Sequence, residues 1–406
     1  MKMIFIGMDV SKDSFTVAVK DDENRLILPI REFYYDKVSL EEFDNEIREI
    51  RKTLRCRVYL GLESTGIYHL PLYQHLVENY AYVRLFNGLE MKRFKSGIRK
   101  TKTDKLDAAD IADAVRILQE TTYHVSSDAE LIELRELCRL LDRISLKVKI
   151  CKVQARRNLD VICRGYSKHF NDVFGVSSLN IIKESMRFTR FLKTDYSTLL
   201  SLMDNHIPEE RAREKARAIE SLFQNAVVPK YMMESSILEL HMLIQQYQLL
   251  KDQRARVREK IEKRIKKLDP KILTVPGIGV LNAAYILGEL GNLDRFESLN
   301  QVTAFAGLDP SVKQSGKSYH SGHISKRGSP FLRHALYGSA MPAARHNPVC
   351  RQLYERLKSK GKHHKVCLTA VARKLLHIAY TVEKKNIDFY VPAYINDDQP
   401  SVGEQV

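Results

Sequence analysis

The chain has 406 residues, 44% of them hydrophobic, a length that suits two or three domains better than one. Its 66 Lys and Arg against 50 Asp and Glu leave a net charge of +16, which favours a polyanionic partner such as nucleic acid or an anionic membrane surface. No apolar run approaches the roughly twenty residues that span a bilayer, and the opening MKMIFIGMDVSKD meets an acid too early for a secretion signal, so a cytoplasmic protein with no membrane partner is expected.

In chain order, the apolar run 3–10 and the alternating Phe15-Thr16-Val17-Ala18-Val19 read as adjacent strands joined by a hairpin. Ser39 and Glu42 have capping-box spacing and open a predicted helix to about residue 54; 57–62 reads as a buried strand, with a helix from about 67. Residues 1–125 are therefore expected to form an α/β domain. From Asp104 onward the pattern is helical, and across 129–163 apolar residues recur every three or four positions: Leu131, Leu134, Leu137, Leu141, Ile144, Val148. A second long run, 232–268, carries Ile237, Leu240, Leu243, Ile244, Leu250 and Val257 before turning strongly basic. The two runs suit an antiparallel coiled coil, within one chain or between chains, and make 126–269 a helical linker region. The insertion at about 170–231 has no role readable from its residues.

Pro270 closes the second long helix, and another is predicted from about 281. Residues 270–390 then show only helical patterns and Gly-containing loops, a mostly helical C-terminal domain, and 391–406 is a polar tail. Six scattered cysteines without CxxC pairs read as reduced packing residues.

Asp9 ends one predicted strand and Glu63 another, while Asp104 and Asp107 open a helix. Strand ends in α/β sheets point side chains into a crevice, and a three-residue helical spacing leaves two side chains only about 60° apart. Such acids raise one another's pKa unless a cation neutralises them; two Mg²⁺ ions about 4 Å apart would serve phosphoryl transfer. Asp110 and Asp113 turn away by the same geometry and read as solvated or structural. Taken singly, each of the four also suits a turn cap or a helix N-terminus. Lys92, Arg93, Lys95, Arg99, Lys100, Lys102 and Lys105 crowd the approach to Asp104, as a phosphate backbone would require, although a solvated loop has the same composition. Gly97 within that run suggests a flexible segment.

Between Asp309 and Glu355 there is no acid, but Lys313, Lys317, Lys326, Arg327, Arg333, Arg345, Arg351 and four histidines. That stretch reads as a phosphate-binding face, and Val275-Pro276-Gly277-Ile278-Gly279 resembles a helix-hairpin-helix turn, with a plain interhelical turn as the alternative. Several serines compete within 311–329. A serine beside glycine on a basic loop is exposed among cations suited to attack on phosphorus, and Ser315 is one such residue.

Taken together, Gly7-Met8-Asp9-Val10-Ser11-Lys12, Glu63-Ser64-Thr65-Gly66, Lys102-Thr103-Asp104-Lys105-Leu106-Asp107-Ala108, Pro276-Gly277-Ile278-Gly279, and Ser315-Gly316 with Ile324-Ser325-Lys326-Arg327-Gly328 resemble the insertion-sequence one-ten family of DEDD transposases, including Piv-type DNA invertases. The resemblance implies a RuvC-like, RNase H-type N-terminal domain in which Asp9, Glu63, Asp104 and Asp107 bind Mg²⁺. It further implies a serine nucleophile, best matched by Ser315, that forms a covalent phosphoserine link to DNA. Donor and target DNA, a structured guide RNA, and a homodimer or homotetramer with a composite active site are implied as partners, in a bacterial cytoplasm near the nucleoid. A RuvC-type structure-specific nuclease without a covalent serine, and a non-catalytic nucleic-acid-binding scaffold, are the competing readings.

Overall fold

Met3–Val10 and Ser14–Asp21 form β1 and β2, an antiparallel hairpin registered Ile6 to Val19 and Met8 to Val17. The structure is a computed structural model and describes residues 2–64, 68–86, 88–95, 104–118, 128–187, 191–227, 231–315 and 318–391. β3 (Arg31–Tyr34) adds antiparallel to β2, β4 (Arg57–Glu63) lies parallel to β1, and β5 (Val83–Phe86) parallel to β4. The sheet order is β3-β2-β1-β4-β5.

Two helical layers cover this sheet because both of its faces are apolar. On one side α1 (Lys37–Leu54) and α2 (His69–Asn79) bury Phe43, Ile47, Leu72 and Leu76 against Ile4, Ile6, Met8, Leu60 and Leu62. Phe15, Phe33 and Phe43 form an aromatic cluster with centroids 5.5 to 6.0 Å apart, each ring contributing about 2 kcal/mol by burial. α1 is capped by Asp36, whose side chain accepts from the Ser39 amide at 2.8 Å. The start expected at Ser39 is thus one turn too late: Asp and Ser cap about equally well, and the extended backbone at Asp36 makes it the cap. On the other face α3 (Gly88–Lys95) and α4 (Asp104–Ile117) bury Met91, Ile111, Ala114 and Val115 against Phe5, Tyr59 and Phe86.

The chain groups into two compact units, Met1–Ile132 with Gly291–Ser298, and Glu133–Leu290 with Leu299–Val406. The second unit is mostly helical. α5 (Asp128–Ile162) enters it from residue 133, and the cap helices α6 (Val176–Arg187), α7 (Tyr196–Ser201) and α8 (Glu209–Gln224) follow before α9 (Met233–Leu268). α5 and α9 run antiparallel within the one chain: Cys151 Sγ donates to the Leu243 carbonyl at 2.9 Å, and Arg264 pairs with Glu133 at 3.4 Å. The intervening segment forms one core with them. Tyr166 and Phe223 stack at 6.3 Å, Phe174 meets Tyr247 at 4.6 Å, and Ile181, Ile182, Leu199 and Ile219 are buried between.

After Pro270 come α10 (Val280–Leu290), α11 (Leu299–Ala306), α12 (Pro330–His346), α13 (Pro348–Ser359) and α14 (His364–Lys385). Sequence patterning gives this region helices and loops alone, yet β6 (Pro310–Ser315) and β7 (Ser318–Ile324) pair as an antiparallel hairpin. Its strands are short and polar and carry no apolar alternation, the signal by which strands are recognised. All six cysteines are free and buried, and burial pushes the thiols of Cys138 and Cys350 up to about 12. Among the described residues no helix is long and apolar enough to cross a membrane.

Candidate active site

The geometry of the acids follows from two glycines. A Cβ on Gly7 would lie 2.1 Å from the Ala108 carbonyl oxygen and 2.2 Å from the Ala112 amide nitrogen, and one on Gly61 would lie 2.2 Å from Val115 Cγ2. Glycine on the strands and alanine on the helix let α4 lie directly on the β1 backbone. Lys20, opposite Phe5 in the hairpin register, pairs with Asp113 of α4 at 2.7 Å. Moving forward along α4, from Ala108 at Gly7 to Asp113 at the level of Phe5, therefore moves backward along β1. The helix is antiparallel to β1, and its N-terminus lies at the C-terminal ends of β1 and β4.

Four helical residues advance about 6 Å, and two strand residues about 7 Å. Asp104, four residues before Ala108, thus heads the helix at the level of Asp9, two residues beyond Gly7. Asp107 likewise stands one turn before Ile111. Asp9 and Glu63 share the α4-covered face, since both strands alternate and Met8 pairs with Leu62 on the opposite one. Asp9 and Glu63 are half-buried and Asp107 is buried. The Glu63 carboxylate occupies the space left at Gly88, with Oε1 3.2 Å from where a Cβ there would sit. The sheet and α4 thus bring Asp9, Glu63 and Asp107 to one end of one face. The side chains of Asp104 and Lys105 lie outside the described residues. Among the described residues no three His, Cys, Asp or Glu side chains form a ready metal cluster. Asp113 is structural, and Asp110 is half-buried.

Lys92 is exposed on α3; Arg93 and Lys95 belong to the same helix, with side chains outside the described residues, as are Gly97, Arg99, Lys100 and Lys102 altogether. Sequence reasoning misses Gly7, Gly61 and Gly88 as positioning residues. The available signal is glycine on adjacent strands together with Ala108 and Ala112 at helical spacing.

In the second unit the hairpin is held at its base. Ser325 donates from its amide to the Asp309 carbonyl at 2.8 Å and from Oγ to Asp309 Oδ1 at 2.5 Å. Lys326, at φ 55°, donates its amide to Gly307, and a Cβ on Gly328 would strike the Phe305 carbonyl at 1.7 Å. Ser329 caps α12 through the Leu332 amide and donates to buried Glu289 at 2.8 Å, while Arg139 grips the same carboxylate at 2.8 and 3.1 Å. Two of the competing serines are thereby engaged within the chain. Ser315 ends β6 in register with Ser318; its side chain and that of Lys313 lie outside the described residues, as do Gly316 and Lys317 entirely. Lys326 and Arg327 are exposed, whereas Arg333 is half-buried and donates to the carbonyls of Ala306 and Gly328. Gly277, at φ 101°, packs against Ala343 of α12, so the turn at 275–279 is built into the helical core; a Cβ on Gly279 would meet open space.

Comparison with known proteins finds two family models. A DEDD transposase model of IS110 type matches residues 6–164, and one described as "Transposase IS116/IS110/IS902 family" matches 269–355. The chain is 31% identical over 115 residues to an IS110 insertion-element protein of Streptomyces coelicolor, covering 28% of each. It is 34% identical over 120 residues to the pilin gene-inverting protein of Moraxella bovis, 29% of this chain and 37% of that protein. A third relative, an IS116 insertion-element protein of Streptomyces clavuligerus, is 22% identical over 385 residues, 93% of this chain and 94% of the other. The chain aligns with well under half the length of the first two.

Proposed function

This chain carries the DEDD and C-terminal transposase domains of the IS110/IS116/IS902 family, and from that premise we propose that it cleaves and exchanges DNA strands for a mobile element. The observation that carries the reading is the seating of α4 on Gly7, which delivers the head of that helix to the strand ends bearing Asp9 and Glu63. In this reading the first unit is a RuvC-like domain, and Asp9, Glu63, Asp104 and Asp107 hold two Mg²⁺ ions. The donor set supports a hard cation, since it is all carboxylate oxygen, and Gly88 leaves room for Glu63. A bound divalent cation supplies Lewis-acid charge at the phosphorus under attack.

Ser315 is the proposed nucleophile. Its Oγ forms a bond to phosphorus as the bond to the departing strand's oxygen breaks; the hydroxyl proton leaves to water and the departing oxygen takes one back. The engagement of Ser325 and Ser329 by Asp309 and Glu289 supports this choice. Exposed Lys92, Lys326 and Arg327, with Arg93, Lys95, Arg99, Lys100, Lys102, Lys313, Lys317 and Arg333, align the phosphate backbone. A guide RNA pairing with donor and target DNA, and a homodimer or homotetramer, complete the proposal.

The test is to trap the protein–DNA adduct. Asp104→Asn and Ser315→Ala should each abolish strand exchange and the adduct, both of which Ser325→Ala should retain. If Ser315→Ala exchanges strands normally while Asp104→Asn does not, the serine role is wrong and a hydrolytic two-metal mechanism takes its place. Sequencing nucleic acid that copurifies from the native host checks the guide: a discrete RNA is expected, and random fragments refute it.

A further inference from the structure

At the edge of the first unit away from the acids lies a cavity of about 610 Å³, lined by Arg51, Arg55, Arg57, Tyr80 and Tyr82 over a floor of Cys56 and Val58. It opens where α1 and α2 end and β4 and β5 begin. Arg51 belongs to the last turn of α1, where a cation complements the helix dipole. That explanation extends to the C-cap Arg55 but not to Arg57. Arg55 is the α1 C-cap in the left-handed region, φ 46°, a conformation that favours glycine or asparagine. Arg57 starts β4 on the face that also carries Tyr59 and Glu63.

No carboxylate lines the cavity, and among the described residues none of the three guanidinium groups is paired with an acid. The nearby Asp44 is already engaged by His75 Nε2 at 2.9 Å and by the Tyr80 hydroxyl at 2.7 Å. Tyr82 is half-buried and packs on Tyr59 with ring centroids 4.8 Å apart, which fixes an aromatic wall. Arginine's planar fork matches phosphate oxygens in pairs, and an aromatic face accepts a nucleobase. The volume exceeds what one phosphate needs and accommodates a nucleotide unit.

We propose that this arginine pocket is a second phosphate-binding site that holds a nucleic-acid strand at the edge of the domain opposite its acids. β4 runs from Arg57 to Glu63, so the two ends of the domain are about 20 Å apart at 3.3 Å per residue. A strand stacked at about 3.4 Å per nucleotide covers that distance in about six nucleotides. The choice of a polynucleotide rests on the reading above; the pocket's affinity for phosphate does not.

The test measures binding by the full chain in metal-free buffer, so that a failed cleavage chemistry leaves it intact. Arg51→Gln/Arg55→Gln/Arg57→Gln is compared with Lys183→Gln/Lys193→Gln/Arg211→Gln, which removes the same charge elsewhere. For a labelled single-stranded oligonucleotide, the arginine variant should bind at least about tenfold more weakly. Its slope of log affinity against log salt should flatten by about 0.7 for each phosphate that the variant no longer neutralises, with the control unchanged. An unchanged arginine variant, or a control that weakens equally, overturns the proposal. Should the triple variant fail to fold, phenylglyoxal footprinting of the unmodified protein decides: the oligonucleotide should protect Arg51, Arg55 and Arg57, and equal reactivity with and without it overturns the site. ATP and pyrophosphate at matched phosphate concentration distinguish the sources. Protection as complete as the oligonucleotide's would make this a free-nucleotide site and overturn the strand assignment.

Discussion

Gly7→Ala tests the link between fold and chemistry directly. The new methyl would sit 2.1 Å from the Ala108 oxygen and 2.2 Å from the Ala112 nitrogen, both backbone atoms. Carbon and oxygen in contact need about 3.2 Å or more, so α4 must retreat by roughly 1 Å, carrying Asp104 and Asp107 away from Asp9 and Glu63. Overpacking of this kind costs about 1–3 kcal/mol, which the first unit survives, while a 1 Å displacement of catalytic groups lowers rate by about 100-fold. Cleavage of a labelled DNA substrate should therefore fall about 100-fold while circular dichroism still reports a folded chain. Because backbone atoms are the obstacle, Ala112→Gly should not rescue the variant. Wild-type cleavage by Gly7→Ala, or recovery in Gly7→Ala/Ala112→Gly, would refute the argument that this close approach sets the acid geometry.

Lys20→Met leaves Asp113 without its partner in a setting where the two side chains are only 10% and 23% exposed; chemical denaturation should show a loss of about 3 kcal/mol, and an unchanged midpoint would remove the pair's role in seating α4. Glu289→Ala strips both Arg139 and Ser329 of their acceptor and should destabilise the second unit by about 3 kcal/mol, with Glu289→Gln recovering part of it by retaining an acceptor. Burial, reinforced by Arg373 and Lys374, holds the His377 imidazole below its ordinary 6.5, and its Nε2 lies 2.7 Å from Thr303 Oγ1. The unfolded chain therefore binds a proton that the native one refuses, so stability is full above about 6.5 and declines as pH falls toward the native value; His377→Gln should flatten that part of the profile, and an identical profile in the variant would assign it to other groups.

Much of the first unit is legible because its physics is local. The apolar period of β1 and β2, the hydrophobic run of β4 and the four acids at element ends all stand in the sequence as patterns. β3 and β5, four residues each, are too short to carry a period and exist only because a neighbouring strand offers them an edge. The late start expected at Ser39 arises from two nearby cap-forming residues between which only backbone geometry chooses.

Sequence by itself determined the long helices almost to their ends, since a 35- or 36-residue amphipathic period is unambiguous and Pro270 stops the second. It also supplied the residue types of a candidate acid site and of a basic, serine-containing stretch. Tertiary structure decided what those residues face: α4 approaches β1 closely only because Gly7 meets Ala108 and Ala112, residues about a hundred positions away. The segment at 170–231, mute as sequence, acquires its place by burying Ile181, Leu199 and Phe223 in the core that α5 and α9 share. Such pairings depend on which surfaces meet across the chain, and no local period encodes them.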